Sequence, residues 1–315
     1  MKKVLITGIG GFVGPFLAQQ LNESSNYKVY GTILENESIN IENVILYKMN
    51  LLSKESVDHV INAIKPEIIF HLAAQSSVRK SWNNPLLTNE ININGSVLLL
   101  EAAKNIVPKC KIVMIGSSEE YGEIFKNNFY PSEKEQCQPI NPYAITKVAQ
   151  NNYANLYSKA YNMDITMTRS FNHCGPGQSE IFVVSDFCKQ VAMIENNLAD
   201  PIISVGNLNV YRDFMDVRDI VRIYVELAKY GLPGETYNIG SGHSIKLQDL
   251  LDKIIKLSSY DIKIEIDKSK YRPIDVEKIE ANIDKIKKLI DFKQKYGIDQ
   301  TIEDTLNYWR KKINK

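Results

Sequence analysis

The chain has 315 residues, of which 44% are hydrophobic and 24% charged, with a formal net charge of +1. That balance describes a globular protein of one or two closely packed domains, and it gives no polyelectrolyte drive towards nucleic acid. Cys110, Cys137, Cys174 and Cys188 form no CxxC pair, and no apolar run approaches a membrane span, so a cytoplasmic protein with reduced thiols and no bound metal is expected.

The first predicted strand, residues 4–7, runs straight into Thr7-Gly8-Ile9-Gly10-Gly11-Phe12-Val13-Gly14 and a predicted helix over 12–22. These glycines break up the one stretch that resembles a secretory signal. A GxxGxxG turn between strand and helix lets backbone approach a pyrophosphate at the positive helix end. Pro15 falls in the first helical turn, where its missing N–H costs little. Strand before and helix after favour dinucleotide binding over an ordinary glycine-rich turn.

Strands are predicted next at 29–33 and 44–48. The end of the second strand normally selects the dinucleotide, with an acid for NAD and an arginine for NADP. Here Ile33 and Leu34 stand there, with Glu35 just beyond. Neither rule is met, and the choice stays open.

A helix at 54–64, a strand at 68–72 and a helix at 89–104 lead to a strand at 112–116. That strand delivers Ser117-Ser118-Glu119-Glu120-Tyr121-Gly122 to the carboxyl edge of the sheet, where open α/β sheets bind ligands. The helix predicted over 142–161 opens with Asn141 as cap and Pro142 in its first position. Tyr143 and Lys147, four residues apart, share a face of it. A neighbouring ammonium stabilises phenolate and draws a tyrosine pKa from about 10 towards neutrality. A drop of roughly three units corresponds to about 4 kcal/mol. Such a tyrosine can protonate a carbonyl oxygen, and Ser117 can donate to the same oxygen. Taken alone, this spacing suits a solvated helix face; the glycine turn and Ser117 give it weight.

After a strand at 165–169 the pattern turns irregular from about Asn172, apart from a strand at 236–239 and helices near 247–257 and 301–313. The fold class is therefore α/β: a Rossmann-type doubly wound parallel sheet with a smaller substrate-binding portion. Residues 1–172 are expected to form the dinucleotide-binding domain, with about 211–240 returning to it, and 173–315 the substrate-binding portion.

The 7–14 turn, His71-Leu72-Ala73-Ala74-Gln75, Asn92-Ile93-Asn94-Gly95, Ser117…Tyr143…Lys147 and Arg169-Ser170-Phe171-Asn172 together resemble the extended short-chain dehydrogenase/reductase family across essentially the whole chain. Phe171-Asn172-His173-Cys174-Gly175-Pro176-Gly177-Gln178, Asp186-Phe187, Tyr211-Arg212-Asp213-Phe214 and Arg272-Pro273-Ile274-Asp275 are similar to its GDP-4-dehydro-6-deoxy-D-mannose reductases. Those enzymes make GDP-D-rhamnose from the product of the related GDP-mannose 4,6-dehydratases.

The resemblance implies catalysis by Ser117, Tyr143 and Lys147. It implies NADP(H) or NAD(H) held by Gly8, Gly11, Phe12, Val13, Asn50, Leu51, Leu72, Ala73, Ala74, Tyr143 and Lys147. A nucleotide-sugar substrate, GDP-linked, would meet Ser118, Glu119, Asn172, Arg212 and Arg272. Arginine's planar fork suits phosphate; the alternative for each arginine is a surface ion pair, which Arg218, between Asp216 and Asp219, fits better. A homodimer is implied through the helices at 89–104 and 142–161, with Tyr153 and Leu156, or Leu98 and Leu99, as its apolar surface.

Two other readings stand beside the reductase. Dehydratases use a glutamate at the place of Glu119 to remove a proton, so a 4,6-dehydratase is the main alternative. A non-catalytic dinucleotide sensor on the same fold is the other. His71 is read as structural, His173 as lining the cofactor pocket, and Cys174 as an ordinary thiol. The nucleotide base, hexose against heptose, and the C4 stereochemistry of the product stay open.

Overall fold

A computed structural model describes residues 1–128, 130–271 and 274–314. In chain order the first half contains β1 (Lys2–Thr7), α1 (Val13–Asn22), β2 (Tyr27–Ile33), β3 (Val44–Lys48), α2 (Lys54–Ile64) and β4 (Ile68–His71). It continues through α3 (Val78–Asn83), α4 (Pro85–Asn89), a π-helical turn (Glu90–Asn94), α5 (Gly95–Ile106), β5 (Lys111–Ser117), α6 (Pro142–Tyr161) and β6 (Ile165–Ser170). The strands read as unbroken apolar runs because both sheet faces are covered: Val4, Leu5 and Ile6 are all fully buried.

The second half contains β7 (Asn172–Cys174), α7 (Val183–Glu195), β8 (Ile202–Val205), β9 (Tyr211–Asp216), α8 (Val217–Tyr230) and β10 (Thr236–Ile239). It ends with β11 (Ser244–Lys246), α9 (Leu247–Ile255), β12 (Lys263–Ile266), β13 (Lys278–Ile279), α10 (Asp284–Leu289) and α11 (Ile298–Ile313).

Seven parallel strands form the main sheet in the order β10-β6-β5-β4-β1-β2-β3. One apolar core joins α1 and α8 to one face, and a second joins α2, α5 and α6 to the other. A third core packs α7, α9 and α11 together. A small sheet of β11, β9 and β13, with β7 beside β9, stands next to the carboxyl edge of the large one. The fold is thus α/β, with a Rossmann-like sheet and a smaller sheet region from the later chain. Among the described residues no helix is long and apolar enough to cross a membrane.

Two elements differ from the sequence expectation. The helix predicted over 89–104 is broken by the π turn. Its extra residue is accommodated where buried Asn92 accepts Gln75 N–H at 2.8 Å and donates to Thr146 Oγ1 at 2.9 Å. The irregular stretch after Asn172 contains two substantial helices, α7 and α8. In α8 Val217, Ile220, Val221, Tyr224 and Leu227 recur at helical spacing and are buried on one face, which outweighs the strand preference of the β-branched residues among them. From α8 onward the chain returns to the large sheet, where β10 pairs with β6, whereas β9 is central to the small one.

Candidate active site

The chain leaves β1 through Gly8 at φ +66°, a left-handed conformation that favours glycine. A Cβ here would lie 2.7 Å from Ala73 Cα, so the turn rests directly on the residues after β4. Gly14 is tighter still, because a Cβ would meet Ile9 O at 2.2 Å. No side chain caps α1, so its first amides are left for a ligand. This close-packed glycine cradle fits the pyrophosphate of a dinucleotide.

The turn opens into a cleft of about 1420 Å³ between the two sheets. That exceeds a pocket for one small ligand, about 300–1,000 Å³, and leaves room for a cofactor and a substrate together. Gly8, Gly11, Phe12, Val13, Asn50, Leu51, Leu72, Ala73, Ala74, Ser117, Glu119, Tyr143, Lys147, Asn172 and Arg212 all line it. Ser118 does not: it is buried, pointing away at the strand end while its neighbours face the cleft. Arg272 lies outside the described residues.

Ser117 ends β5 and Tyr143 begins α6, which brings the two side chains together in the cleft, near enough for the Ser117 hydroxyl to favour the phenolate. Lys147 Nζ lies 6.0 Å from the Tyr143 ring centroid. The ammonium donates to Ile115 O at 2.8 Å and Gln150 Oε1 at 2.7 Å. Burial holds Lys147 down at about 8. The same burial pushes the Tyr143 phenol upward, with the Ser117 hydroxyl opposing it. The expectation that Lys147 draws Tyr143 towards neutrality is therefore corrected: in this structure desolvation dominates, and the lysine's bonds go to the Ile115 carbonyl and Gln150. A raised phenol remains protonated at neutral pH, which is the state an acid requires.

Glu119 accepts from Asn141 Nδ2 at 2.8 Å. Asn141 also caps α6 by accepting Ala144 N–H at 2.8 Å, which ties Glu119 to the helix that carries Tyr143. Behind this layer lies Glu120, fully buried and unremarked in the sequence reading. Its carboxylate accepts Ser117 N–H at 2.9 Å, Asn151 Nδ2 at 3.0 Å and Arg169 Nε at 3.1 Å. It anchors the turn that presents Ser117 and Glu119. The signal for it was a second acid directly after a buried strand, with an arginine in the neighbouring one.

On the substrate side Arg212, nearly fully buried, projects from β9. It pairs with Asp275 and donates to Val276 O at 2.9 Å and Tyr211 O at 2.8 Å, so its fork is oriented by protein. His173 stacks on Phe12 with ring centroids 6.1 Å apart and planes 6° from parallel, joining the small sheet to the glycine turn. Burial lowers its pKa. His71 bonds Thr7 Oγ1 at 2.8 Å and Ser96 Oγ at 3.0 Å, and burial lowers its pKa to about 3, so it is a neutral structural group. The Cys174 thiol is buried and pushed upward. Arg218 pairs with Asp216 and Asp304. After β2, Ile33, Leu34 and Glu37 line the cleft, while Glu35 does not.

The family described as GDP-mannose 4,6 dehydratase matches residues 5–305. The GDP-6-deoxy-D-mannose reductase of Pseudomonas aeruginosa is 25% identical over 312 residues, covering 99% of this chain and 98% of that protein. GDP-mannose 4,6 dehydratase 1 of Arabidopsis thaliana is 28% identical over 323 residues, covering 96% and 88%. Among solved structures, RMD from Pseudomonas aeruginosa complexed with NADPH superposes with a TM-score of 0.87 at 25% identity, over 99% of this chain and 100% of that one. The Thermus thermophilus UDP-glucose 4-epimerase complex with NAD gives 0.87 at 25%, over 98% and 99%. With a matching family across nearly its whole length and a cleft built on the same turn and helix, the chain belongs to the extended short-chain dehydrogenase/reductase family, as an NAD(P)-dependent enzyme that modifies nucleotide sugars.

Proposed function

We propose that this enzyme reduces the C4 ketone of a nucleoside-diphospho-4-keto-6-deoxy sugar, taking GDP-4-dehydro-6-deoxy-D-mannose to GDP-D-rhamnose or a close analogue in the cytoplasm. The observation that carries the reading is the Ser117–Tyr143–Lys147 set, lining the same cleft as the glycine turn. Residues 1–172, with α8 and β10 returning to the large sheet, hold the dinucleotide, and the remainder of 173–315, with β9, the sugar nucleotide. The dinucleotide, when bound, supplies a hydride. Tyr143, protonated at neutral pH, donates its phenolic proton to the ketone oxygen. Ser117 donates a hydrogen bond to that oxygen and shares the charge that develops on it. Lys147, behind the ring, carries the positive charge that opposes the phenolate left after transfer. Asn172 and Arg212, the latter oriented by Asp275, bind the phosphates and ribose of the substrate, together with Arg272. The likeness to a GDP-6-deoxy-D-mannose reductase over both full lengths supports this choice.

One observation favours a second reading. Glu119 lines the cleft with its carboxylate held by Asn141, a placement suited to the general base of a 4,6-dehydratase. Glu119→Gln separates the two, since glutamine keeps the shape and an acceptor oxygen. The reductase reading expects 4-keto reduction to stay within a few-fold of the parent. A dehydratase would lose about 10²-fold or more with its base. Both proteins are assayed on GDP-mannose and on its 4-keto-6-deoxy derivative, counting nicotinamide oxidised per sugar converted. Conversion of GDP-mannose without net nicotinamide consumption, abolished in the variant, would replace the reductase by the dehydratase.

The enzyme is further proposed to work as a homodimer paired through α5 and α6. Tyr153 and Leu156 are exposed on α6 and suit such a contact. Leu98 is half-buried, and Leu99 is withdrawn from the expected surface because it is fully buried in the chain's own core. Light scattering at micromolar concentration is expected to give twice the chain mass, and Leu156→Glu to halve it. A monomer mass for the parent would reject the pairing.

A further inference from the structure

The end of β2, where the sequence satisfies neither dinucleotide rule, is served by Glu37, four positions beyond Ile33. Glu37 N–H closes a turn onto Leu34 O at 3.0 Å, and the Glu37 carboxylate folds back to accept Leu34 N–H through Oε2 at 2.9 Å. That oxygen lies 3.4 Å from where a side chain on Gly10 would begin, directly beside the glycine turn. Lys48, at the end of β3, is paired in register with Ile33. Its ammonium donates to the carbonyls of Leu34 at 3.0 Å, Glu35 at 2.8 Å and Glu37. An ammonium has three N–H donors, and here all three pin the turn that presents Glu37. The cations that line the cleft, Arg79, Lys80, Lys147, Arg212 and Lys270, belong to α3, α6, β9 and the segment after β12, and Lys48 is not among them.

We propose that the enzyme selects NAD(H) against NADP(H), and that Glu37 enforces the selection. The inference rests on the dinucleotide fit of the glycine turn and not on which sugar is modified. A dinucleotide with its pyrophosphate at α1 places its adenosine ribose beside the end of the second strand. There the hydroxyls of NAD meet a carboxylate, which only accepts. NADP brings a phosphate to the same point, where it faces like charge, and Lys48 can neutralise it only by releasing the turn. Family members are solved with NADPH and with NAD, so the choice belongs to the individual chain.

The test is a fluorescence titration of the protein with NADH and with NADPH, for the parent, Glu37→Ala and Glu37→Gln. Glutamine keeps an acceptor for Leu34 N–H, so the turn survives even if alanine lets it collapse. The parent is expected to bind NADH at least about tenfold more tightly than NADPH, equivalent to ~1.4 kcal/mol. Glu37→Gln is expected to close most of that gap through tighter NADPH binding, and low salt to widen it in the parent, since exposed like charges are screened by salt. Equal or tighter NADPH binding by the parent overturns the proposal, as does a gap unchanged in both variants. Failure of the parent to bind either dinucleotide overturns it together with the cofactor fit. Because only binding is read, an intact NADH preference without C4 reduction counts against the reductase reading alone.

Discussion

Tyr143→Phe is expected to lower turnover by about 10²–10⁴-fold, the usual contribution of a positioned general acid, while dinucleotide affinity stays within a few-fold of the parent. Phenylalanine keeps the ring, which is buried at the start of α6, and removes only the hydroxyl near Ser117. In the proposed reaction the lost group is the proton source, so the loss is expected to fall on kcat. The pH profile carries the companion signature. Burial lowers the Lys147 pKa from its ordinary value to about 8, so the ammonium is present below that pH and lost as pH rises through it. Parent turnover is therefore expected to fall on the alkaline side near pH 8, well before an ordinary lysine near about 10.4 would titrate. Steady-state rates on the 4-keto sugar nucleotide between pH 6 and 10 check this, with NADH titration of the variant alongside. Turnover of Tyr143→Phe within a few-fold of the parent would remove Tyr143 as the proton donor.

The second large effect is expected from Gly14→Ala. The added methyl would lie 2.2 Å from the Ile9 carbonyl oxygen, which is backbone and cannot swing aside. The turn and α1 must separate, at a cost of about 1–3 kcal/mol typical of overpacking, and the cradle for the pyrophosphate opens. Thermal unfolding is expected to shift down by several degrees, and dinucleotide affinity to fall by more than tenfold. Gly297→Ala is the control, because nothing lies within 4 Å of a Cβ there. Calorimetry and titration of both variants decide the matter. Retention of parental affinity in Gly14→Ala would show that the turn does not need its close contact with Ile9.

Much of the fold was legible from short-range patterns. Residues 44–48 and 236–239 were read as strands and are strands, and residues 54–64 and 142–161 are helices at those bounds. In α2 the Ser53 hydroxyl accepts Ser56 N–H, and in α6 Asn141 caps as its residue type suggests. α7 and α8 were missed although their apolar residues recur at helical spacing, because their β-branched residues weigh against helix by propensity and burial overrides it. The π turn was hidden as well: Asn92 within it is bonded to Thr146, 54 residues away, a contact that no local pattern reports.

By itself the sequence determined the glycine turn and the doubly wound sheet, because turns, caps and periodicity act over a few residues; it offered Ser117, Tyr143 and Lys147 as a set through the family resemblance. The tertiary structure alone decided the electrostatics and the partners of the charged groups. It buried Ser118, which the sequence offered as a substrate contact, and set Glu120 on Arg169 across 49 positions. It turned Lys147 towards Ile115, 32 positions away, and left the Tyr143 phenol raised instead of lowered. It also folded Glu37 back to the glycine turn while Lys48 was bound from the next strand. Desolvation and partner choice depend on which groups are brought together from afar, and the folded chain is what brings them together.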